Sequence, residues 1–242
     1  MSVIPKVLSL AFLAATSAIA GLPTQKEVFT IASFTPSKTN YVSADYIFSA
    51  LPFYEEVSGS DSIRDYPSHK KAATQQGAIV LLNKTVLFFD TRSPKYLSVV
   101  GLSNHSTFYR LSKTSPPRRT CPKPPSDVDV LPFPKPQDIF CVATFPWNQG
   151  KHFTPQSLVE ALPRFRPLSD QDIPAKAILA SSNTGNHVYP KEWVEAQHEK
   201  HPEALNGVLV LTNRAVLKWI TWTPHAIAFE NYRKNTYFVI DQ

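Results

Sequence analysis

The residues best suited to chemistry crowd into two short polar stretches. The first runs Asp61, Ser62, Ile63, Arg64, Asp65, Tyr66, Pro67, Ser68, His69, Lys70, Lys71, and the second Ser182, Asn183, Thr184, Gly185, Asn186, His187, Val188, Tyr189, Pro190, Lys191. Each brings a phenol, an imidazole and at least one ammonium group close together, groups that hold protons and attract anions. Tyr66, Lys70, Lys71, Tyr189 and Lys191 are therefore candidate binding residues. Other chemistries lack their signatures. No Gly-x-Ser-x-Gly elbow, phosphate loop, dinucleotide fingerprint or His-Glu-x-x-His motif occurs, so no cofactor is expected. His198 and His201 form one i, i+3 pair, too little for a metal site, and none is expected. All four tryptophans, Trp147, Trp193, Trp219 and Trp222, fall in the second half. Trp219 and Trp222 are three apart on or after one strand, so alternation sends them to opposite faces, one of them a possible contact surface.

The surrounding chain specifies the environment of these stretches. Residues 1–20 read as a secretory leader: Lys6 supplies the positive region, 7–16 is nearly all apolar, and Ala18-Ile19-Ala20 is a small-x-small cleavage site. The expected protein is secreted and extracellular, without a membrane span, and monomeric. In an oxidising space Cys121 and Cys141 are expected to form a disulfide, the alternative being two buried free thiols. Sequons at Asn83 and Asn104 are candidate glycosylation sites on exposed turns. The formal charge of +6 is spread over both halves and the segment between them, with no basic stripe of the kind that concentrates nucleic-acid affinity.

The chain also aligns with itself. Shifted by 111 positions, Phe29 to Phe34 falls on Phe140 to Phe145, and Ala50-Leu51-Pro52 on Ala161-Leu162-Pro163; shifted by 130, Gly77 to Leu87 falls on Gly207 to Leu217, with Thr91, Pro94 and Phe108 on Thr221, Pro224 and Phe238. Two registers imply one insertion in the second copy. A two-copy array is too short for a solenoid, so each copy is expected to have its own core or half of a shared one. The reading is a leader at 1–20, a first copy at 21–111, a proline-rich linker at 112–139 holding eight of the 22 prolines, and a second copy at 140–242. Such a linker favours extended, semi-rigid conformations; a Cys121–Cys141 bridge would tie it to the second copy. Each copy is expected to open with a strand (29–34; 140–145), continue with a helix N-capped by Ser43 or Thr154 and stopped by Pro52 or Pro163, and form a hairpin at 79–89 or 209–220 followed by two more strands. The fold class is α+β: two tandem copies, each one helix packed on a small antiparallel sheet.

Tyr-Pro followed by a basic run, after a short helix and a Ser/Asn/Gly-rich loop and before a hairpin, resembles the fungal guanyl-specific ribonucleases and the RNase-like secreted effectors of powdery mildew fungi. The order of elements covers most of each copy. The resemblance implies RNA transesterification, which needs a base, an acid and cations on the phosphate. It assigns Tyr66 and His69 to such a site in the first copy and Tyr189 alone in the second. Departures are evident. His69 is displaced by Ser68 from its family position after proline, the strand that should carry a glutamate base offers only Asp90, and the family's histidine acid is absent. Arg92 and His225 stand near that acid position and could approach a phosphate. Tyr66, His69 and Arg92 are thus the catalytic candidates of an incomplete set. The implied function is a secreted, effector-like protein that binds a host protein or RNA on a degenerate scaffold; the alternative is an active extracellular ribonuclease rearranged around Tyr66 and His69. A structural role is the third reading, and no carbohydrate motif supports it.

Overall fold

A computed structural model describes residues 21–34, 42–57, 75–100, 106–112, 116–123, 134–145, 154–169, 205–223, 225–230 and 235–240. The first copy comprises β1 (Val28–Ser33), α1 (Ala44–Ala50), β2 (Tyr54–Glu56), β3 (Gln75–Leu81), β4 (Val86–Ser93), β5 (Tyr96–Val100) and β6 (Ser106–Leu111). The second repeats it with β7 (Ile139–Thr144), α2 (Pro155–Ala161), β8 (Arg166–Pro167), β9 (Leu205–Leu211), β10 (Val216–Thr223), β11 (Ala226–Glu230) and β12 (Asn235–Val239). Each copy makes a six-stranded sheet, in the orders β1-β3-β4-β5-β6-β2 and β7-β9-β10-β11-β12-β8. Every pairing is antiparallel. The protein is mixed α+β with two short helices, compatible with two tandem copies.

The helices form where capping and apolar spacing agree. Ser43 accepts a hydrogen bond from the Tyr46 backbone N–H at 3.1 Å, and Thr154 from that of Ser157 at 3.1 Å. Each helix closes into a 3-10 turn holding Pro52 or Pro163. Ile47 and Leu51, like Leu158 and Leu162, point inward and are almost completely buried. The strand after each helix, β2 or β8, was not foreseen. It is only three or two residues long, too short for an alternating pattern to show, and takes the edge opposite β1 or β7.

Each hairpin turns through three residues, Leu82–Lys84 or Thr212–Arg214, closed by the Leu81 and Leu211 N–H groups donating to the Thr85 and Ala215 carbonyls at 2.8 Å. Lys84 N–H bonds the Leu81 carbonyl at 2.9 Å and Arg214 N–H that of Leu211 at 2.9 Å. The third loop residue must enter the left-handed region, and here it is Lys84 (φ 70°) and Arg214 (φ 74°) instead of glycine. Asn83 and Asn213 support the turn by accepting from the backbone N–H two residues on, each at 3.0 Å.

The last strand corrects the sequence alignment. Leu97 pairs with Tyr109, and its equivalent Ile227 pairs with Phe238. Phe238 therefore matches Tyr109, not Phe108. The loop before β12 is one residue shorter than that before β6, which the ungapped comparison could not register.

Three apolar clusters organise the molecule. One lies between α1 and its sheet around Ile47, Ile79, Phe89 and Leu97; a second lies between α2 and its sheet around Leu158, Leu209, Trp219 and Phe229. The third joins the copies through the sheet faces away from the helices, with Phe29, Ala78, Val80 and Phe88 meeting Cys141, Phe145, Val208 and Val210. The layers run helix, sheet, sheet, helix. The contact is reciprocal: Phe29 stacks on its equivalent Phe140 at 4.0 Å, Lys84 sits over Phe140 at 5.7 Å and Arg214 over Phe29 at 5.4 Å. Phe34 likewise meets its own equivalent, Phe145, edge-on at 6.1 Å. Equivalent patches meeting each other give a pseudo-twofold, self-complementary interface.

The expected disulfide is corrected. Cys121 and Cys141 are both buried free thiols. Cys121 belongs to the α1 cluster and Cys141 to the layer between the sheets. The linker carries Cys121 to the first copy, not to the second. Its backbone N–H bonds Asp45 Oδ1 at 2.8 Å, the Arg119 N–H bonds Ser49 Oγ at 2.7 Å, and the Pro122 carbonyl accepts from Thr30 Oγ1 at 3.1 Å. Burial pushes the Cys121 thiol up to about 11 and the Cys141 thiol up to about 12.

Candidate functional site

Sheet one carries its polar residues at the end away from the hairpin tip. A bulge interrupts the β4–β5 pairing between Asp90 and Ser93. The Thr91 hydroxyl holds it by sharing its one proton between the carbonyls of Ser93 at 2.7 Å and Tyr96 at 2.5 Å. The second copy keeps the device, with Thr221 donating to the Ala226 carbonyl at 2.6 Å. Bulges re-aim the side chains beside them. Arg92, the residue next to Thr91, is only 6% exposed. An arginine that deep needs polar company, and it has some.

A buried amide borders this bulge. Gln75, opposite Thr91 in the β3–β4 pair, donates to Ser33 Oγ at 2.5 Å and to the Val42 carbonyl at 2.6 Å, and accepts from the Val42 N–H at 2.8 Å. Its polar atoms are satisfied, so it costs little and locks the chain entering α1 onto the sheet. Sequence reasoning missed it. The signal was present in the internal alignment, where Gln75 faces Leu205.

Cross-strand neighbours continue the polar face. One row runs Gln76, Asp90, Ser98, Phe108, and a second Tyr96, Arg110, Glu55. The corresponding rows of sheet two are Asn206, Ile220, Ala228, Tyr237 and Ala226, Val239, Arg166. In these rows the carboxylates Asp90 and Glu55 belong to the first copy and each copy has one guanidinium, Arg110 or Arg166; one register position nearer the tip, sheet two has Lys218 opposite Glu230 where sheet one has Phe88 opposite Val100. The second keeps the scaffold and replaces most of the charge with aliphatic residues.

Of the residues singled out earlier, Tyr66, His69, Lys70, Lys71, Tyr189, Lys191 and Asn104 lie outside the described residues. Arg92 is at the bulge, two positions beyond Asp90. His225 belongs to an exposed turn of the second copy, where its carbonyl accepts from Ile240 N–H at 2.8 Å. Asn83 is exposed at its hairpin tip beside Leu82, 57% exposed. Trp219, expected at either of two faces, is fully buried. Among the described residues no cluster of His, Cys, Asp or Glu could hold a metal ion, and no helix is long and apolar enough to cross a membrane.

The described part of this face offers carboxylates, guanidinium groups and a phenol. It can hold a polar or charged partner. Proton transfer at neutral pH calls for a group titrating near neutrality within reach, and no histidine is among the described residues of sheet one. No family model, curated protein or solved structure matches the chain.

Proposed function

We propose that this is a secreted, effector-like binding protein built on a tandem RNase-like scaffold whose catalytic set is incomplete, acting on a host protein or RNA without cleaving it. The observation that carries the reading is the contrast between copies: Asp90, Ser98, Tyr96 and Arg110 of the first copy stand where the second has Ile220, Ala228, Ala226 and Val239. A duplicated site kept for catalysis would retain its charges twice. A duplicated scaffold kept for binding is free to shed them in the half that serves as support. The contact between the copies covers only the apolar part of the non-helix face of sheet one, around Ala78, Val80 and Phe88, and leaves Arg110 and Glu55 of the polar part exposed to a partner.

The second reading, an active ribonuclease, draws on Asp90 and Arg92 standing two apart on β4, where the resemblance puts charged residues next to Tyr66 and His69. One experiment separates the two. The secreted protein is incubated with a guanosine-containing RNA oligonucleotide, and cleavage and salt-dependent retention are followed beside a Tyr66→Phe/His69→Ala variant and an Asp90→Asn/Arg92→Gln variant. The binding reading expects intact RNA throughout. Cleavage lost in both variants overturns it, and retention lost in the second alone identifies RNA as the partner. N-terminal sequencing of the secreted product, expected to begin at Gly21, checks the leader.

A further inference from the structure

The linker does more than connect the copies, because it crosses the outer face of α1 and forms a cleft there. Ser43 and Tyr46 from the start of the helix and Pro116, Arg118, Arg119 and Thr120 from the linker line this half-open cleft of about 460 Å³. Ligand sites typically enclose about 300–1,000 Å³. This cleft lies on the helix side of sheet one, opposite the polar face described above.

Its chemistry is cationic, and the linker is pinned to keep it so. Ser49 Oγ holds the linker by accepting the Arg119 N–H at 2.7 Å, and its own proton lies between the Asp45 carbonyl at 2.7 Å and the Arg119 carbonyl at 3.1 Å. The Arg119 guanidinium gives one N–H to Gln25 Oε1 at 2.8 Å, and its other donors have no partner among the described residues. Arg118 is exposed and has no hydrogen-bond or ion-pair partner among the described residues. Asp45 also borders the cleft, but its two oxygens are engaged by the Cys121 N–H at 2.8 Å and by Lys123 Nζ at 2.5 Å. With that carboxylate countered by Lys123, the two guanidinium groups set the sign of the site. Hydroxyls of Ser43, Tyr46 and Thr120 add neutral donors.

We propose that this cleft binds a phosphate monoester carried on a sugar or nucleoside. Two planar guanidinium groups and several hydroxyls match a dianion with three terminal oxygens better than a single carboxylate. The volume exceeds what phosphate alone fills, and the half-buried Tyr46 ring and Pro116 supply apolar walls for a ring. In the second copy Gln156 and Glu160 stand in the places of Asp45 and Ser49, and among the described residues no arginine strap covers α2. Among the described residues the site therefore belongs to the first copy, and it stands independently of the function proposed above.

The test is calorimetric titration of the full chain with guanosine 5′-monophosphate, ribose 5-phosphate, guanosine and inorganic phosphate. Both esters are expected to bind saturably and more tightly than inorganic phosphate, and guanosine not to bind. Arg118→Gln, a change at an exposed residue without partners, is expected to weaken ester binding by about tenfold or more, as befits loss of a charge-assisted hydrogen bond. Arg164→Gln, at an exposed residue of the second copy outside both sites, is expected to leave it unchanged. Failure of both esters to saturate, guanosine binding as well as its phosphate, or indifference to Arg118→Gln overturns the proposal. RNA retention that survives Arg118→Gln leaves the sheet-face reading standing while this one is judged on the esters alone.

Discussion

Single residues show where the two copies solved one problem differently. Trp219 occupies the position of Phe89 and is fully buried, yet its indole Nε1 has no hydrogen-bond partner among the described residues. A buried N–H left unpaired costs about 1–3 kcal/mol. Trp219→Phe should therefore lose much less than the roughly 3–5 kcal/mol usual for removing a large aromatic side chain: a change within about 1 kcal/mol, read from chemical denaturation, is expected. Thr85 presents the same situation, since its buried hydroxyl has no partner among the described residues where the second copy has Ala215. The thiols give a pH dependence. With Cys121 raised to about 11 and Cys141 to about 12 from an ordinary 9.0, the unfolded chain releases these protons first, so stability falls as pH rises from about 9 towards 11. Denaturation midpoints measured across that window should drop for the natural chain and drop less for a Cys121→Ala/Cys141→Ala variant. Neither thiol should react with a maleimide at neutral pH until the chain unfolds.

At the scale of elements, each sheet depends on a glycine laid under an aromatic ring. Gly77 pairs with Phe89 and Gly207 with Trp219. A Cβ at either glycine would collide with that ring and with the carbonyl of Ala32 or Ala143 on the neighbouring strand. Because backbone lies on one side, the clash cannot be relieved by a rotamer change. Gly77→Ala should cost more than about 2 kcal/mol by overpacking, against the few tenths expected for alanine at an unhindered strand position, and thermal denaturation distinguishes the two. The hairpin loops carry their own strain. A non-glycine residue in the left-handed region costs about 1–2 kcal/mol. Lys84 and Arg214 offset it by lying over Phe140 and Phe29, contacts worth about 0.5–2 kcal/mol. Turn strain in one copy is thus repaid by the other.

For the whole molecule, that exchange makes the two copies one structure. The stacked pair Phe29 and Phe140, with a cation from the opposite copy on each ring, lies between the sheets at the heart of the reciprocal contact. Phe140→Ala removes the ring from both the stack and the Lys84 contact, and a loss of about 3 kcal/mol is expected. If the copies unfold as one unit, tryptophan fluorescence, which reports the second copy, and near-ultraviolet tyrosine signals, which come mainly from the first, should move through a single transition in the natural chain. They should separate in the Phe140→Ala variant as the coupling between halves weakens. The linker reinforces the first half alone. Asp45→Ala, which frees the Cys121 N–H and Lys123, should open the strap and lower ester binding together with stability.

The amino-acid sequence by itself determined the internal repeat, the two capped helices, the places of the hairpins and the α+β class. These rest on interactions within a few residues of one another, and apolar periodicity and turn chemistry record them directly. It did not disclose the short strands β2 and β8, the one-residue shift before β12, or the free state of Cys121 and Cys141, because each depends on partners distant along the chain. Gln75 gives the same lesson at the candidate site: an amide in an apolar strand looks like an edge position until Ser33 and Val42 close around it. The polar face is half legible, since Asp90 and Arg92 stand out in the strand but their grouping with Tyr96, Arg110 and Glu55 follows from the β4–β5–β6–β2 order. The cleft over α1 is a tertiary property throughout. Arg118 and Arg119 lie about 70 residues from Ser49, and only packing the linker onto the first copy makes their charges a site.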